Sequence, residues 1–264
     1  MKLAVLLFAL PVMLCAQTAE EKGRKLVDDS INALGGAAFL RMQDRLETGR
    51  VYSFYRERLT GFSRAKIYTR YLDPEPPTKL EEGIRVRERQ AFGKDEDYLV
   101  QLRENGGFQV TFRGIKPMPK EQYERWISST RHNYLYILRE RLKEPGLIME
   151  FVGSDIFDNQ PIDKVAITDS ENNVVTVFLH KSTHLPVRQT FYRRDPTTKE
   201  RIEESAIFGL WRDVGQGVQW PFHMLRERDG MKVFEIFSES VSISNKFKDE
   251  LFELPKELKV LPQK

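Results

Sequence analysis

Apolar and polar residues alternate with a period of two over most of the chain from Glu47 to Ile243. This period is typical of β-strands that bury one face. Gly, Asn, Asp and Pro separate the runs at short intervals, so neighbouring strands are expected to pair antiparallel. The first bend is expected at Gly61, and three prolines between Asp73 and Thr78 predict a loop. The predicted strands are residues 47–56, 64–71, 84–92, 97–103, 108–112, 147–157, 164–169, 174–180, 185–194, 201–211, 218–228 and 232–243.

The residues that precede this region, from Thr18 to Met42, have a helical pattern instead. Thr18 and Glu21 have the spacing of a capping box, in which each side chain accepts a hydrogen bond from the other residue's backbone N–H. Apolar residues then recur on one helical face, and Gly35 is placed to end the helix in a left-handed conformation. Residues 36–42 are expected to add a short helical turn.

A second, longer helix is predicted from Pro119 to Leu142, because its apolar residues recur at intervals of three, four and seven. Trp126 and Tyr134 lie on this stripe, which suits a helix that covers one side of a sheet. The combination of many antiparallel strands with two substantial helices predicts a mainly β (α+β) fold. We expect a large antiparallel sheet that is packed as a closed barrel, a sandwich or a half-open barrel.

The first sixteen residues predict an exported protein. Lys2 is followed by an apolar stretch and by Ala16, a pattern typical of a signal peptide cleaved near Ala16. The stretch is shorter than the roughly 20 apolar residues of a membrane-spanning helix, and no later segment is long enough. The predicted location is therefore the periplasm or the exterior. A lipoprotein anchored through Cys15 is the alternative, although Leu14 is larger than the residue that such cleavage prefers.

Composition excludes several classes of function. Cys15 is the only cysteine, so disulfides, thiolate catalysis and cysteine-ligated metals are not expected in the mature chain. The chain has 42 basic and 39 acidic residues, a balance that does not favour nucleic-acid binding. No linker or repeat divides residues 17–264, which predicts a single domain after the signal peptide.

The sequence presents no catalytic motif. His180 and His184 have the spacing of helical metal ligands, but they flank a predicted turn and lack a third ligand. Ser63 stands in a partial match to the nucleophile elbow, but a strand follows it instead of a helix. We therefore predict no catalytic residue, metal ligand or cofactor. A hydrolase assembled from distant residues is the alternative.

The apolar faces of the strands are the remaining candidate site. Trp220, Phe222 and Met224 share one strand face, and Val187 and Phe191 belong to another. In a closed barrel these residues would be core, whereas in a half-open barrel the same face would line a cavity for an apolar ligand. We predict that these five residues line such a cavity and that Trp126 and Tyr134 of the long helix cover it.

Several turn and packing motifs span most of the mature chain: Ala33–Gly36, Asn159–Val165, Lys181–Pro186, Gly217–Pro221 and Asn245–Pro255. They resemble motifs of the periplasmic LolA/LolB-like superfamily of lipoprotein-sorting proteins, although Lys181 stands where the family often has Asp. The resemblance implies a large curved antiparallel sheet that forms a half-open β-barrel, covered or plugged by helices around an apolar cavity. These motifs are structural, and none transfers a functional residue.

Together these features predict an exported, non-enzymatic carrier or chaperone. Its expected partner is a lipid, the acyl chain of a lipoprotein or another apolar ligand, held in the cavity of the barrel. The alternative is an envelope protein-binding or sensory domain without a cavity ligand. Arg85, Arg87 and Arg89, which alternate along one strand, would then face an acidic partner, unless that strand is simply a solvated edge.

Overall fold

The computed structural model describes residues 17–72, 84–195 and 198–262. The predicted signal peptide, Cys15 and the predicted loop at residues 73–78 lie outside the described residues.

In this part of the chain thirteen antiparallel strands form one curved sheet, as predicted. The strands are β1 Asp44–Tyr55, β2 Arg58–Tyr71, β3 Val86–Phe92, β4 Tyr98–Arg103, β5 Gly106–Thr111, β6 Gly114–Pro117, β7 Ile148–Phe157, β8 Gln160–Thr168, β9 Val174–His180, β10 Pro186–Arg194, β11 Arg201–Asp213, β12 Gln219–Arg228 and β13 Met231–Ile243. Their order is β6-β5-β4-β3-β2-β1-β13-β12-β11-β10-β9-β8-β7. β1 and β13 are therefore neighbours at the centre, and the sheet stays open between β6 and β7.

Helical segments pack on this sheet and at its ends. They are α1 Ala19–Ala33, α2 Gly36–Arg41, α3 Lys120–Arg131, α4 Tyr134–Tyr136 with its π-helical continuation Ile137–Arg141, and the 3₁₀ turn Asp249–Phe252.

The N-terminal helix begins and ends as the sequence predicts. Thr18 and Glu21 form the complete capping box, and Gly35 has a φ of 116° directly after the helix. The backbone of α1 lies so close to β7 that a Cβ on Gly23 would be 2.5 Å from the carbonyl oxygen of Met149. Only glycine allows this approach, which places the apolar face of α1 against the sheet.

The main core lies between the helices and the strands on the β7 side of the sheet. Val175, Val177 and Leu179, predicted to share a strand face, are all buried there. Leu34 of the α1 end and Tyr134 of α4 pack in the same cluster. These residues are core and therefore hold the helices on the sheet.

The first hairpin turns at a different place from the predicted one. Tyr55 pairs with Arg58, so Arg56 and Glu57 form a two-residue turn with φ angles of 48° and 63°. Gly61 lies within β2 opposite Ser53. The prediction was wrong because the pairing of the two strands continues past Gly61, and two non-glycine residues take the left-handed conformation that such a turn requires.

The single helix predicted from Pro119 to Leu142 is in fact two helices. α3 ends at Arg131, and α4 begins after Asn133, whose Oδ1 accepts the N–H of Tyr136. The side chain of Gln189 on β10 bonds the backbone of both His132 and Tyr134 at the break. A contact from a distant strand therefore interrupts a pattern that is locally helical.

Strand β3 is not the solvated edge that its arginines suggested. It pairs with β2 on one side and with β4 on the other. Arg87 forms a salt bridge with Glu104, and Arg89 lies 3.6 Å from Glu96. Arg87 and Arg89 are thus paired with carboxylates in the turns at the two ends of β4, so these two arginines do not present a free basic face.

Candidate functional site

A cavity of about 450 Å³ opens on one face of the sheet, between the strands and α3. Its walls come from central strands and both helical segments of the α3–α4 region. The apolar part of the lining consists of Val51, Ile67, Val86, Phe92, Trp126, Leu135, Phe191, Ala206, Trp220, Met224, Val233, Phe234 and Ile236. The size is within the range of about 300–1,000 Å³ that is usual for small-molecule sites.

The apolar floor lies at the centre of the sheet. Ile236 of β13 pairs with Val51 on one side and with Met224 on the other, so three neighbouring strands present apolar side chains together. Ile67 and Phe234 pack against this group. Ile236 and Val51 are buried, whereas Met224 and Phe234 are half-buried and form the accessible surface.

A buried ion pair forms part of the wall beside this floor. The Nε of Arg45 lies 3.5 Å from an oxygen of Glu47, and both side chains are almost fully buried. Arg45 also donates to Thr69 Oγ1 at 2.9 Å, and its Cζ lies 4.0 Å from the ring centroid of Trp220. Buried charges are tolerated when they are paired and hydrogen-bonded in this way.

Helix α3 forms the opposite wall. Trp126 lines the cavity and stacks on Tyr123, with 5.7 Å between ring centroids. The hydroxyl of Tyr123 donates to the carbonyl of Arg103, which attaches the helix to β4. No residue of α3 is fully buried. The helix therefore rests on the cavity through few contacts, which suits a movable cover.

Deeper in the wall, Tyr136 is held by a specific hydrogen bond. Its hydroxyl oxygen accepts the backbone N–H of Arg85 at 3.0 Å. Burial raises the pKa of Tyr136 to about 12, so this hydroxyl stays neutral at physiological pH. It positions α4 against β3 and is not a candidate acid or base.

Charged side chains surround the outer part of the cavity. Glu204 accepts hydrogen bonds from Arg193 at 2.9 Å and from Arg228 at 3.2 Å. Arg125 of α3 and Arg226 of β12 are exposed lining residues. The site thus combines an apolar floor with a mouth of mixed charge in which arginines predominate.

The structure brings together four of the seven predicted site residues. Trp220, Met224, Phe191 and Trp126 line the cavity. The remaining three residues, Phe222, Val187 and Tyr134, lie elsewhere, as described next. Ligand contact by any of the seven stays a prediction.

Each of these three residues has another environment. Phe222 is buried beneath Arg212, whose Cζ is 4.6 Å from the ring centroid. Val187 lies at the β-bulge of β10, where the pairing with β9 shifts. Tyr134 is fully buried in the main core, and burial raises the pKa of its hydroxyl. None of the three is among the residues that form the cavity wall.

Arg45, Glu47 and Gln189 are among the buried polar wall residues that sequence reasoning missed. Arg45 and Glu47 alternate on one face of β1, which normally indicates a solvated strand face. Their burial depends on strands that come much later in the chain, so alternation alone could not reveal it.

The histidines and the serine considered in the sequence are ordinary structural residues. The Nδ1 of His180 accepts the N–H of Thr183 at 3.2 Å in a turn, and Ser63 lies within β2. Among the described residues, no group of three or more His, Cys, Asp or Glu side chains is placed to hold a metal ion. No described helix is long and apolar enough to cross a membrane.

Comparison with solved structures identifies the fold. A DUF1329 family protein from Desulfovibrio piger matches with a TM-score of 0.58 and 13% identity over 89% of this chain and 98% of that chain. A putative outer membrane lipoprotein-sorting protein domain from Vibrio parahaemolyticus matches with a TM-score of 0.56 and 10% identity, over 88% and 97% of the two chains. A LolA superfamily protein from Nitrosomonas europaea gives a TM-score of 0.53 and 7% identity, over 88% and 97%.

Sequence comparisons add no closer relative. No family model matches the chain, and no curated protein matches it. The identities to the solved structures are low, so the likeness concerns architecture and not activity. The three matches have TM-scores above 0.5 over most of both chains, and the chain therefore has the LolA/LolB-like fold.

Proposed function

We propose that the protein is an exported carrier or chaperone that binds a lipid, the acyl chain of a lipoprotein or another apolar ligand in its cavity. The observation that carries this proposal is the accessible apolar floor formed by Met224 and Phe234 beneath α3. A closed core would bury such residues completely. Here an opening of about 450 Å³ leaves them available to a ligand.

The energy of binding would come from burial of apolar surface. Each methylene transferred from water contributes about 0.8 kcal/mol, so ten would contribute about 8 kcal/mol before the costs of association are subtracted. The remaining affinity is enough for a reversible carrier. No covalent chemistry is needed. Uptake and release require only that the cover moves and that the ligand and water replace each other in the cavity.

The distribution of polar groups favours an amphiphile. In the deep ion pair the charges of Arg45 and Glu47 compensate each other, Arg45 donates to Thr69, and Glu47 accepts from Ser238. The Nε of Arg45 is the one polar atom of the pair that is buried without a hydrogen-bond partner among the described residues. The exposed arginines at the mouth, Arg125 and Arg226, are suited to a polar head that remains in contact with water. An acyl chain on the floor with its head at the mouth uses both parts of the site.

Two further observations support a role in the cell envelope. The first sixteen residues have the pattern of a signal peptide. One solved structure with the same fold is described as a putative outer membrane lipoprotein-sorting protein domain. A carrier for a lipid or lipoprotein is consistent with both.

The test is to purify the protein from a bacterial periplasm and examine it by native mass spectrometry, followed by organic extraction of the bound material. We expect an acylated species in stoichiometric amount, and displacement of a fluorescent fatty acid by the same species. A protein that carries nothing and does not bind the fluorescent fatty acid would contradict the proposal. That result would favour the protein-binding or sensory alternative.

A further inference from the structure

The hairpin between β1 and β2 carries an unusual group of exposed apolar residues. Tyr55 is 65% exposed, Leu59 57% and Phe62 60%. Phe54 and Tyr52 lie beside them and are half-buried. We call these five residues the hairpin patch. Exposed apolar residues scattered singly need no explanation, but a contiguous group marks an interaction surface.

Pairing within the hairpin joins four residues of the patch into a continuous surface, whereas Tyr55 at the end of β1 lies on the other face by alternation. Tyr52 lies opposite Phe62 with 5.2 Å between ring centroids, and Phe54 lies opposite Leu59. The patch continues onto β13, where Phe237 meets Tyr52 edge to face at 6.2 Å. Val51, the neighbour of Tyr52, lines the cavity, so alternation places the Tyr52–Phe62 pair on the opposite face of the sheet.

Basic side chains accompany these rings. Arg56 and Arg58 lie at the turn and Arg64 follows on β2, and all three are exposed. Within the part of the chain that the structure describes, none of the three has a carboxylate partner at salt-bridge distance. The hairpin therefore presents unneutralised positive charge together with its aromatic residues.

The nearby carboxylates are already engaged. Glu57 at the turn accepts the backbone N–H of Lys232 at 3.0 Å. Glu235 lies 2.8 Å from His223, and Glu239 lies 3.5 Å from Arg50. Glu57 and Glu235 keep their negative charge in these contacts, but the three arginines of the hairpin outnumber them, so the charge around the patch is net positive.

We propose that the hairpin patch docks the protein on the surface of a bilayer rich in anionic phospholipid. Aromatic rings are suited to the boundary between headgroups and acyl chains, and arginines are attracted to the negative surface potential. The unpaired arginines provide the charge complementarity that this partner requires. The contact made by the patch itself would be peripheral and reversible, since only a few side chains insert.

The test is co-sedimentation of the purified protein with vesicles of phosphatidylglycerol and phosphatidylcholine, compared with vesicles of phosphatidylcholine alone. We expect binding to the anionic vesicles that weakens at high ionic strength. The triple variant R56Q/R58Q/R64Q should bind roughly 100-fold more weakly, from about fivefold for each arginine. The double variant L59S/F62S should lose at least about tenfold, because less apolar surface is buried.

Matched controls separate docking from general effects of charge or apolarity. The triple variant R41Q/K116Q/K143Q removes the same charge from exposed positions away from the hairpin, and Ile156→Ser removes a 72% exposed apolar side chain on β7. Both should bind like the unmodified protein. Circular dichroism and uptake of a fluorescent fatty acid from solution should be unchanged in the hairpin variants, which separates this proposal from the carrier function.

Two results would overturn the proposal. One is an unmodified protein that does not sediment with anionic vesicles at low ionic strength, which would point to a protein partner for the patch. The other is equal loss of binding in the hairpin triple variant and in the control triple variant, which would reduce the effect to overall charge.

Discussion

The side-chain carbonyl of Gln189 accepts the backbone N–H of Tyr134 at 2.7 Å, across 55 residues of sequence. The amide nitrogen of the same Gln189 donates to the carbonyl of His132 at 2.9 Å. One buried side chain on β10 therefore satisfies both sides of the break between α3 and α4. It fixes where the cover of the cavity is joined to the sheet.

Replacement of Gln189 by Ala should lower the free energy of unfolding by about 1–3 kcal/mol, because a buried donor and a buried acceptor lose their partners. Urea denaturation measures this change. The same substitution at Gln109, which is half-buried on β5 and has no side-chain hydrogen bond of this kind, should cost less than about 1 kcal/mol. Equal costs at the two sites would show that the helix break does not depend on Gln189.

Met224→Glu should abolish uptake of a fluorescent fatty acid while the protein stays folded. Met224 is half-buried on the cavity floor, and a carboxylate there would have to lose its water when an acyl chain enters. Val152→Glu, at a half-exposed position on β7, is the matched control and should bind normally. Titration followed by fluorescence gives the affinity, and full affinity in folded Met224→Glu would contradict the assignment of the floor.

Trp126→Ala should weaken ligand retention more than ligand entry. The indole of Trp126 is the largest apolar group that α3 contributes to the cavity wall, so its removal opens the cover without changing the floor. We expect the dissociation rate of the fluorescent fatty acid to rise about tenfold or more, in line with the loss of a large apolar contact. Stopped-flow displacement measures it, and an unchanged rate would show that α3 does not cover the ligand.

Glu47→Gln should lower the free energy of unfolding by about 3 kcal/mol, because Arg45 would keep a buried charge without its counter-ion. The double variant R45M/E47Q should recover part of this loss, since it removes the charge that the single variant leaves unpaired. The exposed pair of Arg50 and Glu239 offers the comparison, and breaking it with Arg50→Gln should cost at most about 1 kcal/mol. An equal loss in the free energy of unfolding at both pairs would show that burial does not increase the cost of leaving Arg45 unpaired.

Stability should decrease on mild acidification because of His132. Burial holds the pKa of His132 below its ordinary value, and the nearby Arg141 acts in the same direction. The unfolded chain, with an imidazole pKa of about 6.5, then binds more protons than the folded chain. The free energy of unfolding should therefore fall as the pH drops below about 6.5, until the pH reaches the folded pKa.

Denaturation at a series of pH values tests this expectation. His132→Gln should flatten the decrease that the unmodified protein shows. An equal slope in the two proteins would assign the pH dependence to other groups.

Local sequence was sufficient to predict elements whose interacting residues are close in the chain or whose apolar residues alternate regularly. The capping box of Thr18 and Glu21 involves residues three apart, and it formed as predicted. The buried alternation of Val175, Val177 and Leu179 identified β9 and its core face. Such features depend on backbone geometry that neighbouring residues already determine.

The site was only partly predictable. Trp220 and Met224 were recognised because alternate apolar residues on a strand indicate a buried face, whereas Phe222, which the same pattern included, lies beneath Arg212 instead of in the wall. Strand β11 has a non-glycine residue of positive φ at Leu210, next to the segment that pairs with this part of β12. Irregular pairing of this kind changes which side chains reach the cavity, and a period of two cannot reveal it.

The sequence alone determined the mainly β architecture, the antiparallel order of hairpins and the location of the first helix. The period of apolar residues, the turn residues and the helix caps each depend on residues that are close in the chain. They can therefore be recognised without information about distant segments. The tertiary structure decided where α3 ends, that Arg45 and Glu47 are buried together, and that the apolar faces leave an accessible cavity. Each of these depends on contacts between strands far apart in the chain, such as β1 beside β13, where packing and desolvation override the local pattern.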